Sequence, residues 1–135
     1  MDTVEDTARQ LTHRLTAIGV AGLVGGLAAR RFGDPATAAF GTQSALWGAI
    51  DLAIAGVASA RSAQPRDAAQ LRRVLLVNAG LDVGYVAAGV VVARLRPTVG
   101  GRVTQVESRG HGLAVVVQGA ALLALDLVHA RRLSP

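Results

Sequence analysis

Four apolar runs, separated by short polar segments, dominate the pattern of this chain. The first run, extended by the segment before it, covers residues 12–30, and the others cover about 37–59, 74–93 and 112–130. A helix needs roughly 20 such residues to cross a bilayer core of about 30 Å. Runs two to four show no charged face at helical period, which a water-exposed helix requires. The pattern predicts an all-α fold, a four-helix transmembrane bundle forming one domain over residues 1–135.

Two other interpretations of the runs stay open. A soluble bundle of Ala-rich helices is the first, but the chain is only 17% charged, with a mean hydropathy of +0.41, whereas soluble domains are roughly 25% charged. A cleavable signal peptide would explain run one alone. The acidic start MDTVED lacks the positive segment that opens such peptides. Both alternatives therefore explain less of the chain than a membrane bundle does.

The 14 basic residues are all arginines, and the chain contains neither lysine nor cysteine. Lysine Schiff bases, disulfides and thiolate ligands are therefore excluded. The arginines lie at the ends of the apolar runs, which suits phospholipid headgroups better than a nucleic acid. We expect the lipid bilayer, and no nucleic acid, as a partner. With four spans, eight arginines lie on the side of the termini and six opposite, which favours cytoplasmic termini.

Glycines in the first run predict how its helix packs. Gly19, Gly22, Gly25 and Gly26 place small residues four apart. Such spacing lets a neighbouring backbone approach closely. We expect these four residues to serve helix packing and not to carry a site.

An internal similarity suggests a duplication. QSALWGAIDL begins at Gln43, QGAALLALDL begins at Gln118, and both read Q-x7-D-L in the second helix of a predicted hairpin. Two duplicated helical hairpins would give parallel repeats, related by an axis along the membrane normal. Chance similarity between Ala/Leu-rich segments is the alternative.

Polar residues inside the apolar runs are the candidate site. At about 1.5 Å per residue, Asp51 and Asp82 lie at the same depth, roughly 12 Å from the side of the termini. Residues three, four, seven or eight apart share a helix face, which groups the polar residues of runs two and three. Helices two, three and four are thereby predicted to form one pocket. Its members are Gln43, Trp47, Asp51, Asn78, Asp82, Tyr85, Gln118 and Asp126.

A charged side chain at mid-bilayer costs at least about 2.5 kcal/mol, so intramembrane acids indicate function by default. We expect a site that binds or conducts a cation, a proton or a small polar ligand. The alternative is an accessory subunit of a larger membrane complex, in which the same residues hold helices together. A membrane enzyme acting on lipid is a third possibility. No catalytic residue, metal site or cofactor is predicted, although His13 and His129 would allow a haem between two helices.

The segment PTVGGRVTQVESRGHG holds the one strand-like pattern of the chain. Gly100 and Gly101 would form a turn there, either in a small hairpin or in a plain loop.

The elements Q-x3-W-G-x2-D, N-x3-D-x2-Y and Q-x7-D, between residue 40 and about residue 130, resemble a group of small four-helix bacterial membrane proteins known only as a domain of unknown function. This resemblance implies a multi-pass protein of the bacterial inner membrane and supplies no activity. A chain this small would form a homo-oligomer, or join a larger complex, to build a pathway.

Overall fold

Four long helices make up the computed structural model, which describes residues 3–60 and 67–133. They are α1 (Val4–Phe32), α2 (Pro35–Ala60), α3 (Ala68–Leu95) and α4 (Gln105–Arg132), and these ranges contain no β-strand. Each apolar run of the sequence lies inside one helix. The predicted all-α bundle is therefore confirmed.

Side-chain caps fix where the helices begin. Thr3, Asp34, Asp67 and Thr104 each accept a hydrogen bond from the backbone N–H three residues further on. These bonds satisfy N–H groups that have no partner inside the helix. Glu107 completes a capping box with Thr104, and these hydrogen bonds hold the pKa of its exposed carboxyl below the ordinary value.

The helices form two antiparallel hairpins that join through α4. Helix α1 packs along α2 and α3 packs along α4, while α2 also packs on α4. At the end where α1 and α3 begin, called the termini end, Leu75 and Ala130 belong to an apolar cluster that Leu11 packs against. We call the opposite end the distal end. Helix α4 is the centre, since 39% of its apolar stretch is buried against 11% for α1.

Glycines bring the paired helices into backbone contact. A Cβ atom at Gly26 would lie 2.5 Å from the backbone O of Gly41, and one at Gly19 would lie 3.0 Å from the O of Gly48. Gly22 approaches the same stretch of α2, as predicted. Gly25 does not, because it points away from α2 and a Cβ there would meet nothing within 4 Å. The prediction was wrong for this residue, since consecutive helix positions lie about 100° apart.

The surface of the bundle is apolar. Helices α1, α3 and α4 are each long and apolar enough to cross a membrane, and large residues such as Val24, Leu81 and Val117 are more than half exposed. Helix α2 has 26 residues but is not among these candidates, since polar residues such as Gln43 and Asp51 interrupt its apolar stretch. It lies between α1 and α4, where small residues suit close packing.

The strand-like segment before α4 is helical in its second half. Gly100 and Gly101 form the expected turn at positive φ, and Val99 and Val103 make one isolated bridge around it. The chain then enters α4 at Gln105. The capping box explains the difference, because it stabilises a helix start that the alternation of Val residues obscures.

Candidate functional site

Three carboxyl groups converge on the interior of the bundle from three different helices. Asp51 of α2, Asp82 of α3 and Asp126 of α4 are only 1%, 4% and 7% exposed. This burial is unusual, because aspartate is almost never fully buried unless it is paired. We call these three residues and Gln118 the acidic cluster.

Gln118 connects α4 to α2. Its Nε2 donates a hydrogen bond of 2.5 Å to Oδ2 of Asp51, and both side chains are buried. The bond joins the Gln of the second predicted repeat to the Asp of the first.

Asp82 and Asp126 bring carboxyl groups of α3 and α4 together. The two side chains are neighbours, and Asp51 also lies close to Asp82. Among the described residues, Oδ2 of Asp82 has no hydrogen-bond partner. Across residues 3–60 and 67–133, no arginine or histidine forms an ion pair with any of the three. The cluster therefore lacks a positive side chain to balance it.

Two aromatic rings lie beside the cluster. Trp47 of α2 and Tyr85 of α3 meet edge to face, with ring centroids 5.3 Å apart and planes at 68°. Nε1 of Trp47 is buried and has no hydrogen-bond partner among the described residues, whereas Tyr85 is 40% exposed. The ring pair joins α2 and α3, which otherwise pack mainly on other helices.

Two predicted members lie outside the cluster. Asn78 is exposed on α3, and Gln43 is half-buried on α2. Neither side chain forms a hydrogen bond within the described ranges. The shared-face argument failed for Asn78 because α3 packs broadly only on α4, so that a narrow stripe of α3 is covered. Asp82 lies inside this stripe and Asn78 lies at its edge.

Sequence reasoning missed buried polar residues near the helix ends. His129 is fully buried, and its Nδ1 lies 2.7 Å from the carbonyl O of Leu125. Its Nε2 and the Oγ1 of the buried Thr7 have no partner in the described part of the chain. His13 is exposed, so the structure does not place it with His129 as a haem pair. The missed signal was the inward stripe of α4, which also carries Ser108, His111, Gln118 and Asp126.

Within residues 3–60 and 67–133, no group of three or more His, Cys, Asp or Glu side chains is arranged to hold a metal ion. The cluster instead consists of neighbouring carboxyl groups, one of which accepts a hydrogen bond from the amide of Gln118.

Fold and site together define a membrane-spanning helical bundle with an acidic cluster between its helices. Residues 14–127 match a family of unknown function, DUF6992, and the chain belongs to this family. The resemblance to a domain of unknown function, seen in the sequence, is thereby confirmed. No curated protein and no solved structure matches the chain significantly.

Proposed function

We propose that this protein binds a proton inside the membrane, at the carboxyl groups of Asp82 and Asp126. The observation that carries the proposal is that the two buried carboxyl groups are neighbours between α3 and α4 and that neither forms an ion pair within residues 3–60 and 67–133. Two carboxyl groups in such contact repel when both are charged, and one shared proton turns the repulsion into a hydrogen bond. The proton is therefore the ligand that this geometry suits best.

Asp51 and Gln118 extend the site toward α2. The amide of Gln118 donates a hydrogen bond to one oxygen of Asp51, and Asp51 lies close to Asp82. A proton that leaves the pair thus has a third carboxyl close by. Trp47 and Tyr85 lie about one helical turn from Asp51 and Asp82, and Tyr85 is partly exposed at the surface of the bundle. In this proposal, these rings control access to the cluster.

Infrared difference spectroscopy tests the binding site directly. In vesicles at neutral pH, the wild type should show the C=O stretch of a buried, protonated carboxyl, and Asp82→Asn should lose this band while circular dichroism shows the bundle intact. Glu5→Gln is the matched control, because Glu5 is exposed and pairs only with Arg9. A wild-type spectrum without such a band would contradict the proposal. If Asp82→Asn unfolds the bundle and no proton binding is detected, the cluster is structural.

Proton movement is a second readout. Vesicles that contain a pH-sensitive dye and the wild-type protein should equilibrate an imposed pH difference faster than empty vesicles do. Asp82→Asn should reduce the rate to that of empty vesicles, whereas Glu5→Gln should leave it unchanged. Binding in the infrared assay without any flux would limit the function to proton binding or sensing.

The proposal includes four spans in a bacterial inner membrane, with both termini in the cytoplasm. Because the sequence contains no cysteine, a thiol reagent labels only a cysteine that is introduced by substitution. An impermeant thiol reagent added to intact cells should label Thr98→Cys at the distal end and spare Glu5→Cys near the N-terminus. The opposite labelling would invert the orientation, and labelling of both would contradict an even number of spans.

A role as a subunit is favoured by the uncovered face of α3. Gly80 and Gly84 lie four residues apart there, and a Cβ at either would meet nothing within 4 Å. Two copies meeting at this face should cross-link through Val77→Cys, and a control at Val24→Cys on α1 should not. Native mass spectrometry of gently extracted protein then separates a homo-oligomer from an accessory subunit of a larger complex. A monomer in both assays would contradict this role.

A further inference from the structure

A cleft at the distal end combines positive charge with an apolar wall. It lies between α3 and α4, has a volume of about 590 Å³, and is separate from the acidic cluster. Its residues are Val90, Ala93, Arg94, Arg96, Arg109, Leu113 and Val116.

The three arginines of this cleft have no acidic partner. Within residues 3–60 and 67–133, the one ion pair is between Arg9 and Glu5 at the other end of the bundle. The two acids at the distal end already serve as caps, since Asp34 accepts from the backbone of α2 and Glu107 from that of Thr104. The positive charge of the cleft is therefore open to an external anion.

The backbone conformation holds Arg96 and Arg109 at the outer edge of the cleft, which we call its rim. Arg96 ends α3 in the left-handed conformation, at φ 48° and ψ 54°, which is uncommon for a residue other than glycine. The next residue, Pro97, accepts a hydrogen bond from the Oγ of buried Ser108 at the start of α4. This bond joins the end of α3 to the start of α4, so that Arg96 and Arg109 are presented together.

The apolar wall continues from the rim toward the middle of the bundle. At about 1.5 Å per residue, Val116 lies roughly 10 Å deeper along α4 than Arg109, and Val90 lies roughly 6 Å deeper along α3 than Arg94. Positive charge at the end of a span and apolar surface below it match the two parts of a phospholipid. A free phosphate ion would use only the rim.

We propose that the distal cleft binds an anionic phospholipid. Its phosphate lies against Arg94, Arg96 and Arg109, and an acyl chain lies along Val90 and Val116. Guanidinium groups bind phosphate through paired hydrogen bonds. The lipid thus covers the distal seam between α3 and α4, where Gly112 brings the two backbones together.

Lipid retention measured by native mass spectrometry tests the site. The intact protein is released from nanodiscs of equal phosphatidylglycerol and phosphatidylcholine. The wild type should retain phosphatidylglycerol preferentially, and the variant with Gln at positions 94, 96 and 109 should lose this preference. Each basic residue near an anionic surface contributes about fivefold, so the combined loss should be on the order of a hundredfold. Arg30→Gln, at the same end of the bundle but outside the cleft, should change retention by no more than about fivefold.

A second variant tests the apolar wall without changing charge. Val116→Trp should fill the cleft and lower retention of phosphatidylglycerol, whereas Val24→Trp on the exposed face of α1 should not. Equal retention of the two lipids by the wild type would overturn the proposal. So would an Arg30→Gln effect as large as that of the triple variant. Full displacement of the lipid by inorganic phosphate would show a phosphate site at the rim and would overturn the lipid assignment.

Discussion

The contact between α1 and α2 gives a matched pair of substitutions, Gly25→Ala and Gly26→Ala. The two residues are neighbours in one helix, but Gly26 faces α2 and Gly25 faces open space. A Cβ at Gly26 would lie 2.5 Å from the backbone N of Ala45 and from the backbone O of Gly41, whereas ordinary contacts begin near 3.4 Å. A Cβ at Gly25 would meet nothing within 4 Å.

The expected magnitude follows from these distances. At Gly26 the shortfall of about 0.9 Å involves backbone atoms, which cannot turn aside as a flexible side chain can, so the helices must separate. Overpacking of this kind typically costs about 1–3 kcal/mol. Replacing glycine by alanine in a helix also gains about 1 kcal/mol of helix propensity. This gain applies equally at both positions, so the difference between the variants isolates the clash at about 1–3 kcal/mol.

Reversible unfolding in mixed detergent micelles, followed by circular dichroism, measures the difference. Gly25→Ala should match or exceed the wild-type free energy of unfolding, and Gly26→Ala should fall below Gly25→Ala by the stated amount. The single tryptophan lies on α2 and gives an independent optical signal. Equal effects of the two substitutions would refute the backbone contact between α1 and α2.

Further predictions concern the start of α4, its hydrogen bond to α2, and the ring contact between α2 and α3. Thr104→Ala should destabilise the protein by about 0.5–2 kcal/mol through loss of the cap. Hydrogen bonds lower the pKa of Glu107. Its contribution to the free energy of unfolding should therefore be full above the ordinary pKa of 4.5 and should fall as acid protonates the carboxylate. A pH series of unfolding curves would detect this loss. A double-mutant cycle of Asp51→Asn and Gln118→Ala should give a coupling energy of about 0.6–1.7 kcal/mol, the range of hydrogen bonds between membrane helices; additive effects would argue against the bond. Tyr85→Leu should shift the emission of the single tryptophan, and an unchanged spectrum would contradict the ring contact.

The sequence was sufficient for the helices, and it named Asp51, Asp82 and Asp126 among the residues of one pocket. Apolar runs of about 20 residues set the number of helices, and depth along the chain placed Asp51 beside Asp82. Periodicity did not identify which residues would bond, because sharing a helix face does not say which neighbour covers that face. Asn78 and Asp82 share one face, yet α4 covers only the second.

The central position of α4 was not predictable from hydropathy. Its apolar stretch is about as hydrophobic as that of α3, although more of α4 is buried. Hydropathy also did not indicate that His129 is buried, because length and composition place this residue at a membrane boundary. Only the packing of α1 and α3 around the end of α4 encloses it.

The central position of α4 also bears on how the protein is made. The partners of Asp51 and Asp82, which are Gln118 and Asp126, both lie on α4. This helix leaves the ribosome after the other three. Until then, α2 and α3 carry carboxyl groups without these partners, and the α1–α2 hairpin is the pair of helices that can already pack along its length. Stable integration of the whole protein therefore depends on synthesis of its fourth helix, and a nascent chain halted before α4 should be a substrate for membrane quality control.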